Sequence, residues 1–415
     1  MRLSILSCTA ILALAAGCGA DSRGTPDTGI MVDATFDAGT MTECTGRPAE
    51  AASARGEVAG LFDAAKNRIV VFGGNTSAPV DCIPAYTQTA EMWAFHLDCN
   101  NWEPLSATGP SARSRHGVAL DTMRNRMLVF GGMQGDPLGG GMRFNDVWAF
   151  DLTSDTWQEL VTTGTPPSRR GFPVVAYDAG HDRLVVHGGD PGGFNGTSDM
   201  FALDLGTLAW SSIDTAGGPP ARLYHGSVIH GGRLIIFGGA GGYSETTYRN
   251  DIWAFDFTTD AWTEVRGGGG DAPLTRFGAQ IFSDSAGDRI VMFGGHDSTN
   301  LGNSNDVVAY SFSADAWTIV RPGDTLNGVA LGMCEFPAEF TLPEEGVPTP
   351  ERRHSFVATQ NGSAAYVLFG KTDCGAINDV WGLDLAAGTW ELLRPPTGGE
   401  ACNRTGTAGC TQLCF

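Results

Sequence analysis

The sequence has few positive charges and few charges of any kind. Of its 415 residues, 26 are Lys or Arg and 46 are Asp or Glu, which gives a formal net charge of −20 with only 17% charged residues. A chain this acidic has no general electrostatic attraction for nucleic acid or for anionic lipid, so neither is expected as a partner. Hydrophobic residues make up 42% of the chain, which is enough for a large core and excludes global disorder.

Helical periodicity is absent beyond the first residues, and 58 glycines would destabilise helix interiors too often for a coiled coil. The motifs Gly-x-Ser-x-Gly and His-Glu-x-x-His are also missing. Their absence argues against the common serine hydrolases and zinc proteases. No cofactor and no metal are expected from the sequence.

The N-terminus is typical of a secretory signal peptide, predicted over residues 1–17. A positive start precedes an apolar run from Ile5 to Ala16 that is too short to span a bilayer. The stretch ending in Gly17-Cys18 resembles a bacterial lipobox, although Ala15 stands where Leu is usual. The resemblance implies lipidation at Cys18, with simple cleavage as the alternative. Residues 18–52 then form a flexible acidic tether. We expect an outer-membrane lipoprotein that contacts the membrane only through its lipid anchor, or a secreted or periplasmic protein.

Six repeats of about fifty residues occupy most of the remaining chain. Each has an apolar run ending in glycine, such as Val129-Phe130-Gly131-Gly132, then an Asn-Asp-x-Trp segment such as Asn145–Trp148, then a Trp nine residues after the first Trp. β-branched and aromatic residues dominate the runs, and Gly, Pro, Asp and Asn separate them, which predicts four short strands per repeat. The tryptophans are expected to fill the space between neighbouring sheets.

These motifs resemble kelch repeats over residues 53–395. The resemblance implies an all-β fold, a six-bladed β-propeller of four-stranded blades, predicted at about 53–105, 110–160, 166–213, 219–265, 272–320 and 350–393. Residues 321–349 are an insertion before blade 6, and 396–415 form a Cys-rich tail. The departures from the pattern include Gly370-Lys371 in place of the glycine pair, and Phe201 and Val308 in place of Trp.

The cysteines of the mature chain, apart from Cys18, avoid blades 2 to 5 and lie where the ring must close. In an oxidising compartment this placement favours disulfides that staple blades 1 and 6 and the two tails. Cys334–Cys374 is the pair we favour, and a zinc site is the alternative. The candidates are Cys44, Cys82, Cys99, Cys334, Cys374, Cys402, Cys410 and Cys414.

Long loops between the second and third strands share one face with the connections between blades, and ligands usually bind on such loops. Aromatic residues on this face could stack on a sugar or pack on a protein, or could simply cover the loops that carry them. The candidates are Tyr86, Phe144, Phe194, Tyr243 and Tyr248.

One arginine per blade begins the innermost strand on the same face. Six guanidinium groups around a channel would favour a carboxylate or sulfate ligand. The alternative is structural, with each arginine pairing with the Asp of an Asn-Asp unit, for example Asp146, Asp251, Asp306 or Asp379. The arginines are Arg55, Arg113, Arg170, Arg222, Arg276 and Arg352. His116, His225 and His354 also fall in inner strands, where hydrogen-bonded structural roles are favoured over a shared metal.

The sequence therefore predicts a monomeric, non-enzymatic binding scaffold tethered to the cell envelope, which recognises a protein or a glycan through its long-loop face. The alternative is an enzyme acting on a sugar acid, similar to periplasmic N-acetylneuraminate epimerase. That similarity is at the level of the fold, because no catalytic set can be matched.

Overall fold

The computed structural model describes residues 51–77, 86–105, 108–136, 140–242, 244–297, 302–326, 340–341, 346–372 and 375–397. All of them belong to one compact unit, Cys44–Phe415. They contain strands, a single 3-10 turn at Glu245–Thr247 and no α-helix, which confirms the all-β prediction for this part. The described residues contain no helix that is long and apolar enough to cross a membrane. The predicted signal peptide, Cys18 and nearly all of the predicted tether lie outside the described residues.

Six main sheets account for most strands of the described residues. Sheet 1 contains β1 (Ala59–Asp63), β2 (Arg68–Phe72), β3 (Met92–His96) and β4 (Asn101–Leu105). Sheet 2 contains β5 (Gly117–Asp121), β6 (Arg126–Phe130), β9 (Val147–Asp151) and β10 (Thr156–Glu159). Sheet 3 contains β12 (Val174–Asp178), β13 (Arg183–His187), β14 (Met200–Asp204) and β15 (Ala209–Ile213), with β11 (Thr163–Gly164) added in parallel to β15.

The other three main sheets follow the same order. Sheet 4 contains β16 (Gly226–His230), β17 (Arg233–Phe237), β18 (Ile252–Asp256) and β19 (Ala261–Arg266). Sheet 5 contains β21 (Gln280–Asp284), β22 (Arg289–Phe293), β24 (Val307–Ser311) and β25 (Ala316–Arg321). Sheet 6 contains β29 (Val357–Asn361), β30 (Ala364–Leu368), β33 (Val380–Asp384) and β34 (Thr389–Arg394).

Short two-residue strands pair at the loops. They are β7 (Met133–Gln134) with β8 (Met142–Arg143), β20 (Arg276–Phe277) with β23 (His296–Asp297), β26 (Thr325–Leu326) with β27 (Phe340–Thr341), and β31 (Lys371–Thr372) with both β28 (Arg353–His354) and β32 (Gly375–Ala376). In every main sheet the four principal strands run antiparallel in chain order, as the repeats predict.

The core lies in layers between consecutive sheets. Each layer combines buried side chains of one sheet with those of the next, and one layer joins sheet 6 to sheet 1. The first strands contact one another in the same order, and β29 of sheet 6 also contacts β1 of sheet 1. The fourth-strand tryptophans, such as Trp102 and Trp210, lie in these layers, as predicted.

In sheet 6, Phe369-Gly370 occupies the position that a glycine pair holds in the other main sheets. This corrects the sequence assignment of Gly370-Lys371 to that position. Val357 pairs with Leu368 just as Ala59 pairs with Phe72 in sheet 1, so Phe369 takes the place of Gly73. Phe369 has a φ of 61°, a backbone conformation that costs a bulky residue about 1–3 kcal/mol. Its ring is fully buried against Trp102, with the centroids 5.1 Å apart, so packing between sheets 6 and 1 offsets this strain.

Cys99, in the turn between β3 and β4, is part of a disulfide. Its partner lies outside the described residues, as do Cys44, Cys82, Cys334, Cys374, Cys402, Cys410 and Cys414. The connectivity, including Cys334–Cys374, stays a prediction.

Candidate functional site

An arginine precedes the first strand of each main sheet and pairs with a carboxylate just before the third strand. In sheet 4, Arg222 Nη1 and Nη2 donate to the two oxygens of Asp251 at 2.9 and 2.8 Å, and Nη1 also donates to the carbonyl of Gly238. The arginine side chains are all at most 2% exposed. The pairs are Arg55–Glu91, Arg113–Asp146, Arg170–Asp199, Arg222–Asp251, Arg276–Asp306 and Arg353–Asp379.

This geometry favours the structural interpretation of the arginines over a ring of ligand-binding charges. Each buried guanidinium donates to its carboxylate and to nearby backbone carbonyls, and all of them except Arg55 reach both carboxylate oxygens. Burial raises the pKa of Asp146, Asp199 and Asp251, but the hydrogen bonds and charges of their arginines outweigh it and hold each pKa below its ordinary value.

The sixth arginine of the set is Arg353, which corrects the sequence assignment of Arg352. Arg353 Nη1 and Nη2 donate to Asp379 at 2.6 and 2.7 Å, and Nη1 donates to the carbonyl of Phe369. A Pro-x-x-Arg pattern would have found it, because Pro110, Pro167, Pro219, Pro273 and Pro350 each stand three residues before the paired arginine.

The asparagine of the Asn-Asp unit joins its sheet to the next one. Asn145, Asn250 and Asn305 each donate from Nδ2 to the proline carbonyl that precedes the next sheet's arginine. Asn378 of sheet 6 donates in the same way to the carbonyl of Ala52, before sheet 1. The backbone repeats this link: the second glycine of each pair donates its N–H to the carbonyl of the next arginine, and Gly370 donates to Arg55 at 3.0 Å.

Two residues after each arginine, the chain takes a left-handed conformation. We call these six residues the mouth residues: Glu57, Arg115, Phe172, Tyr224, Gly278 and Ser355, with φ between 53° and 67°. Such strain at non-glycine positions is typical of functional sites. Backbone hydrogen bonds connect consecutive members, from Glu57 N to Ser355 O, Arg115 N to Glu57 O, Phe172 N to Arg115 O and Gly278 N to Tyr224 O.

One half of the mouth is charged. Arg115 Nη2 and Lys371 Nζ both donate to Glu57 Oε1, at 2.7 and 2.6 Å, and Ser114 Oγ donates to Glu57 Oε2 at 3.0 Å. All three charged side chains are at most 3% exposed. Burial alone raises the pKa of Glu57, but the two cations outweigh it, so the pKa lies below its ordinary value and the carboxylate stays ionised.

The other half is aromatic. The rings of Phe172 and Tyr224 stack with centroids 4.0 Å apart, and Phe277 stacks on Tyr224 at 5.2 Å. The guanidinium carbon of Arg115 lies 4.7 Å from the centroid of Phe172, which joins the two halves through a cation–π contact. Phe172 and Phe277 are buried and Tyr224 is half-buried, so these rings form a rigid wall beside a fixed charge.

A cavity of about 290 Å³ lies directly against five of the mouth residues, all except Gly278, and between the first strands of all six main sheets. Several polar atoms at its wall are buried without a hydrogen-bond partner among the described residues: Arg115 Nε, Tyr224 Oη, Ser355 Oγ and both ring nitrogens of His116. Burial raises the pKa of Tyr224 well above its ordinary value, so its hydroxyl stays protonated and can donate. The site therefore presents hydrogen-bonding groups that no other described residue satisfies.

The aromatic candidates have mixed positions. Phe194 and Tyr248 are buried and pack against Phe172 and Phe277, so they support the aromatic half of the mouth. The ring of Phe144 covers Arg113, whose guanidinium carbon is 4.0 Å from its centroid. Tyr86 is half-buried, and Tyr243 lies outside the described residues. Covering and supporting roles fit Phe144, Phe194 and Tyr248 better than an exposed platform does.

The three histidines do not share a site. His116 and His225 stand three residues after their arginines, whereas His354 directly follows Arg353 and contacts Asn303 at 2.7 Å. His225 pairs instead with His187, at 3.1 Å between Nε2 and Nδ1. Within the described ranges, no cluster of three or more His, Cys, Asp or Glu side chains is arranged to hold a metal ion.

Comparison with known proteins identifies the repeat. The family model described as the KLHDC2/KLHL20/DRC7 Kelch-repeats domain matches residues 8–239 and 173–330. The chain belongs to this kelch-repeat family. The kelch resemblance in the sequence is thereby confirmed, and with it an all-β kelch fold of the β-propeller kind.

Three curated relatives of this chain are eukaryotic proteins. Kelch domain-containing protein 10 of Xenopus tropicalis is 27% identical over 321 residues, which cover 73% of this chain and 71% of the relative. The human protein of the same name is 27% identical over 322 residues, covering 73% and 66%. Acyl-CoA-binding domain-containing protein 5 of Arabidopsis thaliana is 32% identical over 238 residues, covering 54% of this chain and 35% of that protein. Kelch repeats commonly mediate protein interaction, which is consistent with a binding scaffold.

Sequence reasoning missed the mouth residues and Lys371. The signal was available: once the repeats are aligned on the paired arginines, the position two residues later carries six different residue types while the frame around it repeats.

Proposed function

We propose that this kelch protein is a non-enzymatic scaffold, a closed ring of six blades that binds a protein partner at its mouth. Closure is supported by the contacts of sheet 6 with sheet 1, where Gly370 N, Asn378 Nδ2 and Lys371 Nζ donate to Arg55 O, Ala52 O and Glu57 Oε1. The first two repeat the links found between other pairs of sheets.

The observation that carries the proposal is the contrast between the repeated arginine–carboxylate pairs and the variable mouth residues. The arginine–carboxylate pairs recur in all six main sheets, whereas the mouth residues differ in every sheet and leave Arg115 Nε, Tyr224 Oη and Ser355 Oγ without partners among the described residues. A fold alone requires neither the variation nor the unsatisfied donors. Both are expected of a surface that recognises a particular partner.

An enzyme acting on a sugar acid is less well supported. Acid–base catalysis requires a carboxylic acid or base whose pKa is near the working pH. Glu57 is the carboxylate among the described residues that line the cavity, and its two cationic neighbours hold its pKa low. It therefore serves as a fixed charge that orients Arg115 and Lys371.

We further propose that Cys18 carries a lipid and holds the scaffold to the bacterial cell envelope, on the lipobox resemblance of its flanking residues. Metabolic labelling with a palmitate analogue tests this directly. Label should enter the wild-type chain and be lost in Cys18→Ser, and equal labelling of the two would contradict the anchor.

The mouth is tested by comparing Tyr224→Phe and Arg115→Gln with the control Tyr310→Phe in affinity capture and on a glycan array. Tyr310 Oη donates to Asp315 at 2.7 Å in a hairpin turn, so its loss should cost about 1 kcal/mol of stability without affecting binding. Tyr224→Phe removes a hydroxyl with no partner among the described residues, and should change stability by less than about 0.5 kcal/mol.

We expect a protein retained by the wild type and by Tyr310→Phe to be lost from Tyr224→Phe and Arg115→Gln. Retention of every bound protein by all variants would place binding elsewhere. Mouth-dependent binding to array glycans, without a protein partner, would assign the same site to a carbohydrate.

A further inference from the structure

A tryptophan in the third strand has the same partners in four of the six main sheets. Its indole Nε1–H donates to the carboxylate two residues earlier, at 2.7 to 3.0 Å. In sheets 1, 2 and 6 its ring also meets the fourth-strand tryptophan edge to face, with centroids 6.3 to 6.5 Å apart. The four residues are Trp93, Trp148, Trp253 and Trp381.

Sheet 5 has Val308 at this position. Val308 pairs with Ile319 in the same register in which Trp148 pairs with Glu159, so the two side chains leave equivalent points of their sheets. Trp317, the fourth-strand tryptophan of sheet 5, keeps its place in the layer between sheets 4 and 5, against Phe237. In sheet 3 the corresponding residue is Phe201, whose ring packs into the layer beside it.

A cavity of about 370 Å³ lies beside Val308, where four of the other sheets place an indole. Its wall includes Val308 together with Asp306 and Trp317, and the last two correspond to the carboxylate and the tryptophan that contact the indole in sheet 2. Ile319 and Leu274, which also line it, are 72% and 43% exposed, so the cavity has an apolar rim at the surface.

Hydrogen-bond acceptors face this space. Asp306 binds Arg276 at 2.6 and 3.1 Å, as its counterparts bind their arginines, but has no indole donor from its own sheet. Asp324, also on the cavity wall, has a buried Oδ1 without a partner among the described residues. A buried acceptor left in this way favours a ligand that brings a donor.

We propose that this cavity binds a planar aromatic group of indole size that carries an N–H donor. The ring takes the position held by Trp148 in sheet 2, meets Trp317 edge to face and donates to Asp306, with Asp324 as the neighbouring acceptor. The cavity would recognise this ring through edge-to-face aromatic contacts and a charge-assisted hydrogen bond. The site faces the connection that leads into sheet 5 and shares no residue with the mouth. Its test is therefore independent of the proposed function.

The test uses fluorine NMR with the full chain and two probes, 5-fluoroindole and N-acetyl-5-fluorotryptophanamide. A single small ring should bind with a dissociation constant on the order of 1 mM. Val308→Trp supplies the indole from within the chain, so it should abolish probe binding and raise the midpoint of thermal unfolding. Val308→Ala, which leaves the space open, is the matched control and should retain binding.

A second variant reverses the experiment. Trp148→Val should create an equivalent cavity in sheet 2 and add a second probe site to the first. Binding of both probes assigns the site to the ring alone, and binding of the tryptophan amide only assigns it to a tryptophan of a partner polypeptide. The proposal would be overturned if neither probe bound the wild type, or if the wild type and folded Val308→Trp bound the probes equally.

Discussion

Lowering the pH from 7 to 5 is expected to destabilise the folded protein by at least about 6 kcal/mol, which is about 2 kcal/mol from each of three buried histidines. The cause is a set of buried neutral histidines. Burial is the largest cause that lowers the pKa of His116, His187 and His296 to about 3, from an ordinary value of 6.5. His225 and His354 shift in the same direction, for the same reason.

The sign follows from proton linkage. Between pH 6.5 and pH 3 the unfolded chain binds a proton at each of these histidines and the folded chain does not, so stability falls as the pH drops through this window. At pH 5 each histidine with a folded pKa of about 3 contributes about 2 kcal/mol to the loss. Ionised carboxylates such as Glu57 add their loss only below their ordinary pKa of 4.5, so histidine dominates the range from 6.5 to 5.

Urea unfolding of the wild type and of His116→Phe at pH 8 and pH 5 measures the effect. His116 packs edge-on against Phe72, with centroids 5.2 Å apart, and its two ring nitrogens have no partner among the described residues, so phenylalanine fits its surroundings. The variant should lose about 2 kcal/mol less than the wild type between the two pH values. An identical loss in both proteins would show that His116 titrates normally in the folded state.

Replacing Arg353 by methionine is expected to cost about 4 kcal/mol of folding free energy. The substitution keeps much of the side-chain volume but leaves the Asp379 carboxylate, whose side chain is 3% exposed, without its cation. Removing one partner of a buried ion pair typically costs 3–5 kcal/mol, since the remaining charge is buried and uncompensated.

Arg55→Met is the matched control. Arg55 is equally buried, but the side chain of its partner Glu91 is 50% exposed and can be solvated when the cation is lost. We expect this variant to cost about 2 kcal/mol less than Arg353→Met in chemical denaturation. Equal costs would mean that the arginines act through packing alone. If both variants had normal stability but lost partner binding, the arginines would be ligand-binding residues and not structural ones.

The strands were predictable from the sequence because their signals are local. Glycine pairs, Asn-Asp units and tryptophans lie within one repeat, and their spacing is nearly constant. The departures in sheet 6 are also local: Phe369 stands where glycine is usual, and the paired arginine is Arg353, one residue after the predicted Arg352.

The mouth was not predictable, because its contacts join different repeats. Glu57 and Lys371 are 314 residues apart in the chain, and only the meeting of sheets 1 and 6 brings them together. The arginines had two consistent interpretations in the sequence, since repetition suits a ligand ring and a structural pair equally. The choice between them depends on where each guanidinium points.

Ring closure is the claim on which the mouth depends, and hydrogen exchange of the Gly370 amide tests it most directly. This N–H donates to Arg55 across the junction of sheets 6 and 1, as Gly132 donates to Arg170 between sheets 2 and 3. If the ring is closed, both amides should exchange only through large-scale opening, with similar protection. Rapid exchange at Gly370 beside a protected Gly132 would show that sheets 6 and 1 do not hold together in solution, and would contradict the account.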